Sequence, residues 1–187
     1  LFMVVGEVDV RAGTRNINEL SGLRRSMPIT FTVALVSGLS MAGIPPLLGF
    51  PTKEAAIEAV LGLADTEFLV VGGLVIGGAV LTVAYTTRLL LGMFGGSAPM
   101  AERTVAPRRP SMTVPQALLA VGSIAGFVAL GWVTDVVRTA SVIVEPDAVV
   151  YTLYRWPGLT DAFITSMVVV ALGLTLGGLL ARRTVLT

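Results

Sequence analysis

Gly43-Ile44-Pro45-Pro46-Leu47-Leu48-Gly49-Phe50-Pro51-Thr52-Lys53-Glu54-Ala55-Ala56-Ile57-Glu58 interrupts an otherwise apolar run. Three prolines and two glycines fall within the nine residues from Gly43 to Pro51. Proline lacks the amide donor and its ring clashes with the preceding turn, so no unbroken helix passes through. In a soluble domain this would read as a loop. Here apolar runs flank both sides, and interrupted backbone at membrane depth persists only where protein or a water-filled cavity satisfies its polar groups. Gly43, Pro45, Pro46, Gly49 and Pro51 are therefore read as a helix break. Residues 44–51 are expected to be non-helical, between half-helices over Pro28–Gly43 and about Thr52–Leu63 that together make one crossing. Just beyond the break stands Lys53, the one lysine in the chain.

The composition sets the solvent. Of 187 residues 54% are hydrophobic and 13% charged, with a mean hydropathy of +0.85, whereas soluble domains carry about a quarter charged residues. This is the composition of a multi-pass cell-membrane protein of the all-α transmembrane class. Cysteine and histidine are both absent, which excludes a disulfide framework, a zinc site, an iron–sulfur cluster and a histidine-ligated haem. No metal and no cofactor is expected. Any chemistry falls to carboxylates, arginines and the lysine. The net charge of +1 hides arginines gathered in short stretches between apolar runs, a pattern that bears on membrane orientation and not on nucleic-acid binding. The opening Leu1-Phe2-Met3-Val4-Val5 has no basic n-region and is not a signal peptide; it reads as the interior of a longer polypeptide.

Taken in order, residues 1–8 read as the last turns of a helix and residues 9–27 as a polar connection. Met27-Pro28 places proline at a helix start, where its missing donor costs nothing. After the broken helix comes the acidic stretch Ala64-Asp65-Thr66-Glu67. Phe68 to Phe94 is an apolar run long enough to span about 30 Å with some tilt, with Arg88 near its end, where the stem can snorkel. Residues 95–112 form a polar loop. Thr113 to about Val133 is the next span, with Pro115 in its first turn. Residues 135–157 are mixed in charge, carry Tyr151, Tyr154 and Trp156 suited to an interfacial belt, and have room for a short interfacial helix. Phe163 to Ala181 is the last span. The expected architecture is a single membrane domain over 1–187, a helix bundle of about four crossings plus the end of a fifth. Small residues four apart (Ala34, Gly38, Ala42; Gly73, Gly77; Gly122, Gly126; Gly173, Gly177) offer close helix contacts.

Basic residues number four before the broken helix, none after it, three after the next span, two in the mixed loop and two at the end. By the positive-inside rule this puts 9–27, 95–112 and the C-terminus in the cytoplasm, and Asp65 and Glu67 outside.

Lys53 lies twelve residues before Asp65, roughly 18 Å at a helical rise, near the bilayer midplane. A lysine stem reaches about 6 Å, so snorkelling does not account for it. The alternative is that residues 51–64 lie flat on the surface with Lys53, Glu54 and Glu58 in water; spacing leaves both readings open. Buried, the ammonium would be disfavoured by desolvation and able to give up its proton. Ionisable groups inside membranes mark ion and proton pathways. Glu54 and Glu58 are four apart on one helical face, where they could continue such a path.

Gly6-Glu7-Val8-Asp9, Thr14-Arg15, Leu20-Ser21-Gly22-Leu23, Met27-Pro28, Met41 to Phe50 and Lys53-Glu54 together resemble the large, A-type component of Mrp-type multisubunit Na⁺/H⁺ antiporters. The Gly-x-Pro-Pro to Lys-Glu stretch is shared with the antiporter-like subunits of respiratory complex I, whereas Gly13-Thr14-Arg15-Asn16 and the Trp156, Gly158 pair look like Mrp. The resemblance implies antiport of protons against monovalent cations such as sodium, with Lys53 as a relay on a broken helix. It further implies partnership with other membrane subunits within the lipid bilayer, and a transporter rather than an enzyme. Val10 and Pro157 stand where histidine is usual, so no histidine relay is expected, and Thr52 replaces a common serine. Two other functions fit the same residues: a proton-pumping subunit of a respiratory NADH:quinone oxidoreductase, and a non-conducting structural subunit with Lys53 inert.

Overall fold

The computed structural model describes residues 1–17, 19–63, 66, 68–96, 105–144 and 152–185. The expectations placed on Asp65, Glu67, Tyr151 and residues 97–104 of the 95–112 loop lie outside the described residues.

Helices are α1 (Phe2–Ala12), α2 (Leu23–Ser26), α3 (Pro28–Ala42), α4 (Gly49–Leu61), α5 (Gly73–Phe94), α6 (Pro110–Val128), α7 (Leu130–Val144) and α8 (Asp161–Val185), with one π-helical turn, Phe68–Gly72, running directly into α5. Among the described residues there are only helices and connections, so the chain is an all-α transmembrane bundle. Leu69–Phe94, Pro110–Val128 and Asp161–Arg182 are each long and apolar enough to cross a membrane. Much of their surface is open, with Leu69, Leu74, Leu118, Leu119 and Leu179 all exposed. An apolar surface of that extent needs lipid or further helices around it.

Several boundaries differ from the sequence expectation. The first helix runs four residues further, to Ala12, and stops at Gly13 in the left-handed conformation. A short helix, α2, forms inside the polar connection. Pro110 opens α6, so Pro115 falls inside the helix and not in its first turn. The apolar run after it does not end near Val133; it breaks at Ala129 and continues as α7, longer than the short interfacial helix expected. Arg155 donates to the Val128 carbonyl at that break, satisfying one of the acceptors a helix end leaves free.

The bundle's direction follows from a few contacts. Phe31 packs on Phe94 with ring centroids 5.2 Å apart, and Gly22 donates to the Gly95 carbonyl at 2.8 Å, so the start of α3 and the end of α5 share one end of the molecule. Gly173 faces Val83, and Gly177 faces Ala84 and Thr87, so α8 runs parallel to α5 and finishes at that same end. Thus the 13–27 connection, the start of α6 and the end of α8 lie together. Of the small residues expected at interfaces, Gly38, Gly126, Gly173 and Gly177 are in close contact, a Cβ on Gly177 meeting the Ala84 carbonyl oxygen, whereas Gly73, Gly77 and Gly122 face open space. Close approach of backbones in the α5–α8 pair accounts for Gly173 and Gly177.

Candidate functional site

The break begins as a helix C-cap. Gly43 adopts φ 75° and ψ 46°, a left-handed conformation that glycine takes without a Cβ penalty. Its N–H donates to the Ser40 carbonyl at 3.0 Å, and the Ile44 N–H to the Leu39 carbonyl at 3.0 Å, the paired bonds of a Schellman motif. The chain turns through residues 44–48, with a cis Pro45–Pro46 bond, and α4 starts at Gly49. This is three residues earlier than expected. Gly49 and Pro51 belong to the first turn of α4 and not to the non-helical segment, because the first turn's N–H groups have no helical acceptor and proline loses nothing there. Gly49 is pressed on the preceding half-helix: a Cβ there would overlap the Ser40 carbonyl oxygen.

These contacts set the direction of α4. Gly49 lies beside Ser40, and Lys53 beside Gly43, so α4 continues upward past the end of α3 as a staggered half-helix. Fifteen residues of rise from Pro28 to Gly43 and eight from Lys53 to Leu61 give about 34 Å, enough for one crossing. Lys53 is then about 12 Å from the far end of α4, shallower than the count from Asp65 suggests.

The Lys53 ammonium donates to the Ala42 carbonyl at 2.9 Å, one of the acceptors left at the end of α3. A cation there also meets the negative end of the helix dipole. Lys53 is half-buried and lines an open cleft of about 540 Å³ together with Ser40, Gly49, Thr52 and Thr82. The break is held from the other side by α6: the Leu48 N–H donates to the Ser123 carbonyl at 3.1 Å, and the Ser40 and Ser123 hydroxyls pair at 2.8 Å.

Glu54, one residue on, points away from Lys53. It is 5% exposed and accepts a 2.7 Å bond from Ser166 of α8 through Oε2, while its buried Oε1 has no partner among the described residues. Glu58 is exposed. The structure therefore divides the predicted trio: Lys53 faces the break, Glu54 faces α8, and Glu58 faces outward.

Sequence reasoning missed a second buried ionisable group. Glu7 of α1 has 0% of its surface exposed. Its Oε1 accepts from Thr113 at 2.9 Å, Thr30 at 3.2 Å and Arg11 at 3.3 Å, and Gln116 donates to Oε2. Arg11 also donates through Nε to the Ala106 carbonyl at 3.0 Å, and Ala106 returns its N–H to the Arg11 carbonyl at 3.0 Å. The i,i+4 spacing of Glu7 and Arg11 was the available signal. Their partners on α3 and α6 were not readable from it.

Residues 1–82 match the family described as NADH:quinone oxidoreductase/Mrp antiporter, TM. That match takes in the first 82 of the 187 residues of the chain. It is 31% identical over 191 aligned residues to the A1 subunit of the Na(+)/H(+) antiporter of Staphylococcus haemolyticus (strain JCSC1435), covering 94% of this chain and 23% of that protein. The same figures hold for the A1 subunit of Staphylococcus aureus (strain Newman). Among solved structures it superposes on a chain of the Mrp complex from Dietzia sp. DQ12-45-1b with a TM-score of 0.78 and 32% identity, covering 98% of this chain and 20% of that one. The chain thus spans under a quarter of the length of these relatives. These likenesses fit an all-α multi-pass membrane protein.

Proposed function

We propose that this chain is part of the membrane domain of one component of a multisubunit monovalent-cation/proton antiporter, and that Lys53 is a relay group in its path. The observation that carries the reading is the Lys53 ammonium bonded to the terminal carbonyl of α3 beside an open cleft. A charged Lys53 ties α4 to the negative end of α3; a neutral one loses most of that attraction. Gain and loss of a proton are thereby coupled to the contact between the two half-helices. Glu54, with one oxygen bonded to Ser166 and one free, and Glu58 near the outer end of α4 are the groups through which the path would continue.

The relatives are antiporter subunits, which favours a transporter over an enzyme and other membrane subunits as partners. Positive-inside bias places the end that carries Arg15, Arg24, Arg25, Arg108 and Arg109 in the cytoplasm. Cysteines introduced at Leu63 and Val105 of the complete subunit should label from opposite faces; same-side labelling rejects this orientation. Lys53→Ala in the complete, assembled subunit should abolish most proton-coupled cation exchange in inverted vesicles while leaving assembly intact, and undiminished exchange rejects the relay. The family description also covers NADH:quinone oxidoreductase, so a pumping subunit of a respiratory complex is the second reading. Co-purification with a flavin and iron–sulfur arm would decide for it.

A further inference from the structure

α6 reaches both the Glu7 cluster and the helix break with one face. Thr113 and Gln116 reach Glu7, while Ser123, seven residues beyond Gln116, holds the break through Leu48 and Ser40. Seven residues are two helical turns, about 10.5 Å, so Gln116 and Ser123 lie one above the other. Between them sits Ala120, buried in an apolar cluster with Val4, Val8 and Val33. Between Gln116 and Ser123 the helix carries no polar side chain. What α6 transmits is position.

We infer that Glu7, acting with Arg11, is a positioning residue for the transport site: it fixes the start of α6 and so sets Ser123 against the helix break beside Lys53. Glu7 is enclosed by this chain alone, so its role does not depend on what covers the outer faces of the bundle. Its carboxylate collects donors from α1, α3 and α6, and Arg11 clamps residue 106, just ahead of α6, through side chain and backbone. Lengthwise, α6 is held by this cluster at one end and by the Leu48–Ser123 bond two turns further on. Removing the carboxylate frees the register of α6 against α3, and the Ser40–Ser123 contact opens. Glu7 bears on transport only through the role of Lys53 proposed above.

The test uses the complete subunit in its assembled complex. This segment has no cysteine, and the pair Ser40→Cys with Ser123→Cys places two thiols where the hydroxyls are 2.8 Å apart, within reach of a disulfide. Oxidative cross-linking should be efficient with Glu7 present and about tenfold slower with Glu7→Gln, a change of the size expected when a charged hydrogen-bond acceptor is lost. Without the cysteines, Glu7→Gln should lower the maximal exchange rate while leaving the half-saturating cation concentration unchanged. Should Glu7→Gln fail to assemble because Arg11 is left uncompensated, Thr113→Val with Gln116→Leu cuts the α6 side alone and should slow cross-linking in the same direction. Cross-linking unchanged in these variants, or slowed with the exchange rate intact, overturns the inference. Cross-linking does not depend on transport, so a failure of the Lys53 relay would show separately, as exchange that survives Lys53→Ala.

Discussion

Lys53 and Glu7 are both ionisable groups held inside an apolar bundle, and their surroundings are opposite. Lys53 bonds one backbone carbonyl and borders an open cleft; Glu7 has four side-chain partners and no exposed surface. A charge enclosed by a salt bridge and further donors is costly to disturb, since losing one partner strands the others. A charge with one acceptor and room for water can change its state at smaller cost. Burial of an ionisable group in a membrane bundle is thus not by itself a sign of transport; on the role proposed for Lys53, the number of partners and access to a cavity separate the two groups.

The contrast can be broken most sharply at Glu7. Glu7→Ala leaves Arg11 and three neutral donors without their acceptor and should cost about 3–5 kcal/mol, read as loss of assembled complex or a lowered unfolding midpoint. A variant of wild-type stability would mean that the cluster carries no structural load. Gly49→Ala should come next, at about 3 kcal/mol, because the new Cβ meets backbone, which cannot rotate away as a side chain can. Ser166→Ala, which takes the donor from the buried Glu54 carboxyl, should cost about 2 kcal/mol. A neutral result there would show that Glu54 finds another partner. Glu58→Gln, at an exposed position, should stay within about 0.5 kcal/mol of wild type; a larger loss would mean that Glu58 is enclosed by the rest of the assembly.

What the sequence made legible follows the same division. The helix break could be read because proline and glycine impose their geometry locally, at Gly43, Pro45 and Pro46. Pro51 was misplaced because proline is as much at home in a first helical turn as in a loop, and only the contact of Gly49 with Ser40 decides which. Glu7 was illegible as a site because its α6 partners lie 106 and 109 residues away in sequence, and a threonine and a glutamine in an apolar run carry no mark of what they face. The Ala129 break was hidden for the same reason: no glycine or proline stands at that position, and Arg155 satisfies the Val128 carbonyl from 27 residues further on. Ser166 and Ser123 are likewise ordinary membrane-helix serines until the packing of α8 and α6 is known.

The relay proposed for Lys53 requires that its charge change, and Lys53→Arg separates a changing charge from a fixed one. Arginine keeps the positive charge beside the end of α3 but holds its proton, with a pKa above about 12. In the complete subunit, assembled and reconstituted in vesicles, Lys53→Arg should assemble normally and lose most proton-coupled cation exchange, as Lys53→Ala does. Exchange at the wild-type rate would contradict it and make Lys53 a fixed charge that caps α3.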